Sequence, residues 1–175
     1  MPGTPQALAS AARNAFTKRT GTTCHDAVLE WLEDSEYVPN NAHERLFADV
    51  GGRPPIYGQI LVSYSDPRVM TIAGANALPM GTIIGFWGEG ELKHSIIVVS
   101  PTILAGANNT GVWDPDAAAF PIISLNLRAI FLTSQLMWSP NSTVGKAGYT
   151  MHYQAPREVA DRINNRLNLL APGSE

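Results

Sequence analysis

Residues 93–107 read Lys93-His94-Ser95-Ile96-Ile97-Val98-Val99-Ser100-Pro101-Thr102-Ile103-Leu104-Ala105-Gly106-Ala107. β-Branched residues run unbroken from Ile96 to Val99, stop at Ser100-Pro101-Thr102 and resume at Ile103. A stiff apolar run, a tight turn with proline at its second position and a second apolar run predict an antiparallel hairpin. With Pro101 and Thr102 at the centre of the turn, paired residue numbers sum to 203, so His94 stands opposite Asn109 on the same face of the sheet. A one-residue slip substitutes Asn108, and a longer, bent loop brings in Asp114. Asn108-Asn109-Thr110-Gly111 also reads as a turn in its own right, because Asn and Gly favour turns.

Working outward, residues 60–64, 69–73, 82–87, 94–100, 103–107 and 112–113 read as short strands separated by Gly, Pro, Asn and Asp. Residues 149–154 alternate and read as another strand, whereas the apolar stretch 122–138 is assigned to helix. Upstream, Ala7, Leu8, Ala11, Ala12, Ala15 and Phe16 recur at helical spacing over residues 5–18. A second helix spans about residues 24–33, with Cys24, Ala27, Val28, Trp31 and Leu32 forming one buried stripe. Residues 35–58 are polar and turn-rich, a surface excursion with a helical turn near residues 42–47. Pro156 opens a final amphipathic helix carrying Val159, Ile163, Leu167 and Leu170. Helices first and an antiparallel sheet afterwards make an α+β pattern. The expectation is a single domain over residues 1–175, with its chemistry in residues 22–114 and a C-terminal extension in residues 125–175.

With 175 residues, 45% apolar and 15% charged, the chain buries a core without needing disulfides or metals. The net charge of −3 and the scattered Lys and Arg residues argue against nucleic-acid binding. No apolar run reaches membrane-spanning length, and Met1-Pro2-Gly3-Thr4 does not open a Sec-type signal. The expected location is the cytoplasm, or export by a route that reads no such signal. One cysteine excludes an internal disulfide.

Cys24 follows Thr23 and precedes His25-Asp26, a capping-box pattern that places it in the first turn of its helix. Unbonded N–H groups and the positive end of the helix dipole stabilise a thiolate there, and the same N–H groups serve an oxyanion hole. The plainer reading is a small core residue that begins the apolar stripe. Of the four histidines, His25 points about 100° away from its neighbour and reads as a helix-surface residue. His43 lies in the polar excursion and reads as exposed, and His152 faces either way on its strand. His94, ahead of a stiff buried run, is held at the rim and is the candidate base, with Asn109, Asp114 or Asn108 to orient its imidazole.

These pieces resemble the papain-like superfamily of cysteine hydrolases, in particular its NlpC-type and CHAP-type amidase branch. The resemblance covers residues 22–114: a Cys opening a helix, Leu78-Pro79-Met80-Gly81-Thr82-Ile83-Ile84-Gly85-Phe86 resembling the family's Pro-x-Gly-Asp and apolar strand, the His94 strand, and Asn109 at the third polar position. The chain departs from the pattern at Thr82, where Asp is usual, in lacking a Trp after the nucleophile, and in lacking an upstream Gln. Oxyanion donors then come from Thr22 or Thr23 and from Cys24. The resemblance implies attack of the Cys24 thiolate on an amide carbonyl, with His94 protonating the leaving amine and then activating water. It implies no cofactor. The substrate it implies is a peptide, a protein, peptidoglycan, or a glutamine side chain in a deamidase or transglutaminase. Such domains occur as bacterial effectors and toxins, for which a cognate inhibitor or immunity protein is an expected partner.

Two rival readings are a non-catalytic interaction domain, with Trp87, Trp113, Trp138 and Tyr57 as core or partner-binding groups, and a metal site using Cys24, His25 and other His or Asp residues. The second lacks C-x-x-C, H-E-x-x-H and a second Cys. Gly85-Phe86-Trp87-Gly88-Glu89-Gly90 lacks the Lys-Ser/Thr of a phosphate loop and reads as a hairpin, and Asn141-Ser142-Thr143 is a chance glycosylation match.

Overall fold

In the computed structural model, described residues are 3–15, 24–49, 51, 60–62, 78–88, 90–100, 103–107, 122–126 and 150–170. Helix α1, Pro5–Ala15, starts where Thr4 Oγ1 accepts the Ala7 N–H at 3.1 Å and buries Leu8, Ala9 and Ala12. Helix α2, Cys24–Asp34, buries the expected stripe. It ends in two backbone bonds, from Glu36 N–H to Glu33 O and from Tyr37 N–H to Leu32 O, with Glu36 in the left-handed region at φ 60°. Helix α3 is Ala42–Asp49, and helix α4 is Pro156–Leu169, opened by proline and by Glu158 accepting the Ala155 N–H.

Among the described residues, five strands form one antiparallel sheet: β1 Ile83–Gly88, β2 Glu91–Ser100, β3 Ile103–Ala107, β4 Ile122–Asn126 and β5 Thr150–Gln154. Their spatial order is β4-β3-β2-β1-β5, so β1 to β4 form a meander and β5 returns to the free side of β1. Leu8, Val28, Leu46 and Ile163, one from each of α1 to α4, share a core with Ile83, Trp87, Leu92, Ile97, Val99 and Ala105 of the sheet. This is an α+β architecture with the helices packed on a small antiparallel sheet.

Strand alternation divides the sheet residues cleanly. Gly85, Ser95 and His152 lie in one row across β2, β1 and β5, on the face that carries the helices. Ile84, Ile96, Val98 and Leu104 emerge from the other face and are also buried. Burial of both faces explains the unbroken apolar run Ile96–Val99, where a half-solvated strand would alternate.

Several expectations are corrected. Residues 60–61 are helical, not extended. The Arg162 guanidinium takes the Ile60 and Leu61 carbonyls at 3.0 Å each, oxygens that a strand would give to a ladder. Residues 122–126, the described part of the stretch 122–138 assigned to helix, form a strand paired with β3, and residues 127–138 lie outside the described residues. The β2–β3 register sums to 203 at Ser100 and Ile103, but irregularity at Val99 shifts it to 202 at Val98–Leu104 and Ile97–Ala105. The offset that singled out Asn109 opposite His94 therefore does not hold along the described ladder.

Candidate active site

Cys24 is the first residue of α2 and is 2% exposed. The first turn of α2 sits directly on β2. Ser95 Oγ lies 3.2 Å from the Cys24 carbonyl oxygen and 2.8 Å from His25 Nδ1, and His25 Nε2 lies 3.2 Å from the Leu92 carbonyl oxygen. His25 is thus buried against the sheet and is not a helix-surface residue. Because the helix start lies flat on β2, the 100° step from Cys24 turns the imidazole into the interface, not into solvent. Burial lowers the His25 pKa to about 4, against smaller opposing effects of the Leu92 carbonyl and Asp26.

His94 is the fourth residue of β2, which begins at Glu91 after a turn through Gly90 at φ 78°, so it is not at the strand's rim. It pairs with Phe86 and is fully buried. Its neighbour Ser95 faces α2, so the His94 side chain leaves the sheet on the opposite face. Burial and then the charge of His25 lower its pKa to about 3.

His152, which the sequence leaves free to face either way, lies on the helix face opposite Gly85, with its ring 6.5 Å from that of Trp87 in an edge-on arrangement. Burial lowers its pKa. His43 is half-buried, not exposed: its Nε2–H donates to Asp26 Oδ1 at 2.9 Å, and this bond raises its pKa despite burial. The third-residue candidates Asn109, Asp114 and Asn108, and the oxyanion candidates Thr22 and Thr23, lie outside the described residues.

Among the described residues, the structure brings the Cys24 carbonyl onto Ser95 and, through it, beside His25 and Leu92, while strand alternation puts the His94 side chain on the face of β2 opposite Ser95. The residues that sequence reasoning passed over are His25 and Ser95. One signal pointed to them: a serine inside a run buried on both faces needs a hydrogen-bonding partner. No group of three or more His, Cys, Asp or Glu side chains among the described residues is arranged to hold a metal ion. No described helix is long and apolar enough to cross a membrane. In comparisons with known proteins, no family model, curated protein or solved structure matches this chain.

Proposed function

We propose that this chain is a thiol-dependent amide hydrolase on a papain-like scaffold, with Cys24 as its nucleophile. The observation that carries the reading is the seat of Cys24 as the first residue of a helix whose first turn is held on the central part of the sheet. A thiolate there is stabilised by the N–H groups and dipole of the helix start, and those N–H groups also serve a developing oxyanion. Attack on an amide carbonyl gives a thioester as the protonated amine leaves, and water then cleaves the thioester. Peptides, peptidoglycan stem peptides and glutamine side chains are the substrate classes to screen. Two imidazoles compete for the role of base. His94 is favoured by the order of the sequence motifs, and His152 by its place on the helix face.

A second reading, a non-catalytic interaction domain on the same scaffold, is favoured by the burial of Cys24 and His94, at 2% and 0% exposure. Iodoacetamide alkylation of Cys24 across the pH range separates the two. A thiol that reacts rapidly below about pH 7, and loses this in His94→Ala or in His152→Ala, supports the hydrolase and identifies its base. A thiol that is inert, or that titrates near the free value of about 8.5 in all three proteins, leaves the interaction domain.

A further inference from the structure

We infer that His25 and Ser95 are positioning residues for Cys24: the Ser95 hydroxyl, shared between His25 Nδ1 and the Cys24 carbonyl, fixes the first turn of α2 on β2. The inference rests on the reading of Cys24 as a nucleophile and gives that nucleophile its anchor.

The proton inventory leads to this assignment. A carbonyl oxygen only accepts, so the 3.2 Å contact with Leu92 requires a proton on His25 Nε2. Burial keeps the ring neutral at neutral pH, so that is its one proton. Nδ1 is then a lone pair, and across the 2.8 Å contact Ser95 is the donor. The same hydroxyl faces the Cys24 carbonyl at 3.2 Å. One proton thus serves two acceptors, a three-centre arrangement with the shorter arm on the imidazole.

The three groups come from separate places in the chain: the Cys24 carbonyl from the first residue of α2, the His25 ring from the second, and Ser95 from mid-β2. Ser95 is fully buried and paired with Gly85, beside the packed Leu92 and Val62 side chains. Removing the hydroxyl takes that donor from both acceptors in a buried setting, where lost hydrogen bonds are costly. The start of α2, and with it the Cys24 thiol, then gains freedom to shift relative to the sheet. Asp26 is the charged neighbour acting on His25, and it favours the protonated ring more weakly than burial disfavours it.

Two measurements on the full chain test this. Nitrogen-15 NMR of the His25 ring at neutral pH is expected to show the Nε2–H tautomer, with an Nδ1 signal that moves in Ser95→Ala. An Nδ1–H tautomer, or a signal indifferent to Ser95, overturns the inference. Alkylation of Cys24 near pH 6.5 is expected to slow about tenfold in Ser95→Ala and in His25→Leu, the equivalent of about 1.4 kcal/mol. His25→Asn keeps an acceptor for the serine proton and is expected to stay within about threefold of the parent. An unchanged or faster rate in Ser95→Ala overturns the positioning role. If Cys24 is inert in the parent chain, the nucleophile reading fails and the positioning role falls with it. The tautomer signature, which does not depend on reactivity, then decides whether the hydrogen-bonded clamp itself exists.

Discussion

Gly85 shows how closely a single residue is constrained beside the candidate site. A Cβ there would stand 2.6 Å from Leu92 Cδ1 and 2.8 Å from Val62 Cβ. Val62 is in turn held because its carbonyl accepts the Trp87 indole N–H at 3.0 Å. Gly85→Ala is expected to cost about 1–3 kcal/mol, read as a lower urea midpoint with the slope unchanged; an unaltered midpoint would show that the cluster yields freely. Glu36 is a residue-scale opportunity of the opposite kind. It is exposed and holds φ 60°, a conformation that glycine adopts without strain. Glu36→Gly is expected to stabilise the chain by up to about 1 kcal/mol in the same assay. At this scale the sequence was legible for Cys24, whose capping-box context and apolar stripe both pointed to the start of a helix. It misplaced His25, read as a helix-surface residue but buried against β2, because a helical wheel gives angles but not which neighbour covers each angle.

At the scale of the element, β2 illustrates both what a pattern reveals and where it stops. Its apolar run Ile96–Val99 predicted a strand, and the turn after it predicted a hairpin. Two local irregularities, at Val99 and between Phe86 and Trp87 on the β1 side, then shifted the pairing, and nothing in the residue types marks a bulge of this sort. Because side chains alternate with a period of two, the face on which a strand histidine emerges depends on pairing and packing that residue types alone do not settle. The same limit applies to residues 122–126, whose pairing with β3 is a contact between segments distant in sequence that residue types alone do not reveal. By contrast, α2 and α4 were readable because an amphipathic helix states its buried face in its own spacing.

For the whole molecule, β2 carries buried imidazoles against both its faces: His25 on the helix side and His94 on the other. Both have folded pKa values, about 4 and about 3, below the ordinary 6.5. Between those values and 6.5 the unfolded chain binds more protons than the native one, so acid favours unfolding. Their contribution to stability is therefore complete above about pH 6.5 and is lost as pH falls towards the folded values. His43, raised by Asp26, has the opposite sign: its contribution is complete below 6.5 and is lost as pH rises through its folded value. Three lowered rings, His25, His94 and His152, against the raised His43, Glu30 and Glu33, whose contributions are kept in acid, predict a net fall in melting temperature from about pH 7 to pH 4; a flat profile would mean that protonation is relieved by local opening.

The placement of β5 has a consequence for synthesis on the ribosome. The outer edge of β1, residues 83–87, is closed by residues 150–154, which emerge only after about 60 further residues have been added. Until then β1 presents an open row of backbone donors and acceptors beside an apolar surface, the template that recruits strands from other chains. A chain interrupted before residue 150 is left with that edge uncapped. Chains truncated before residue 150 are then expected to associate through that edge more readily than full-length chains.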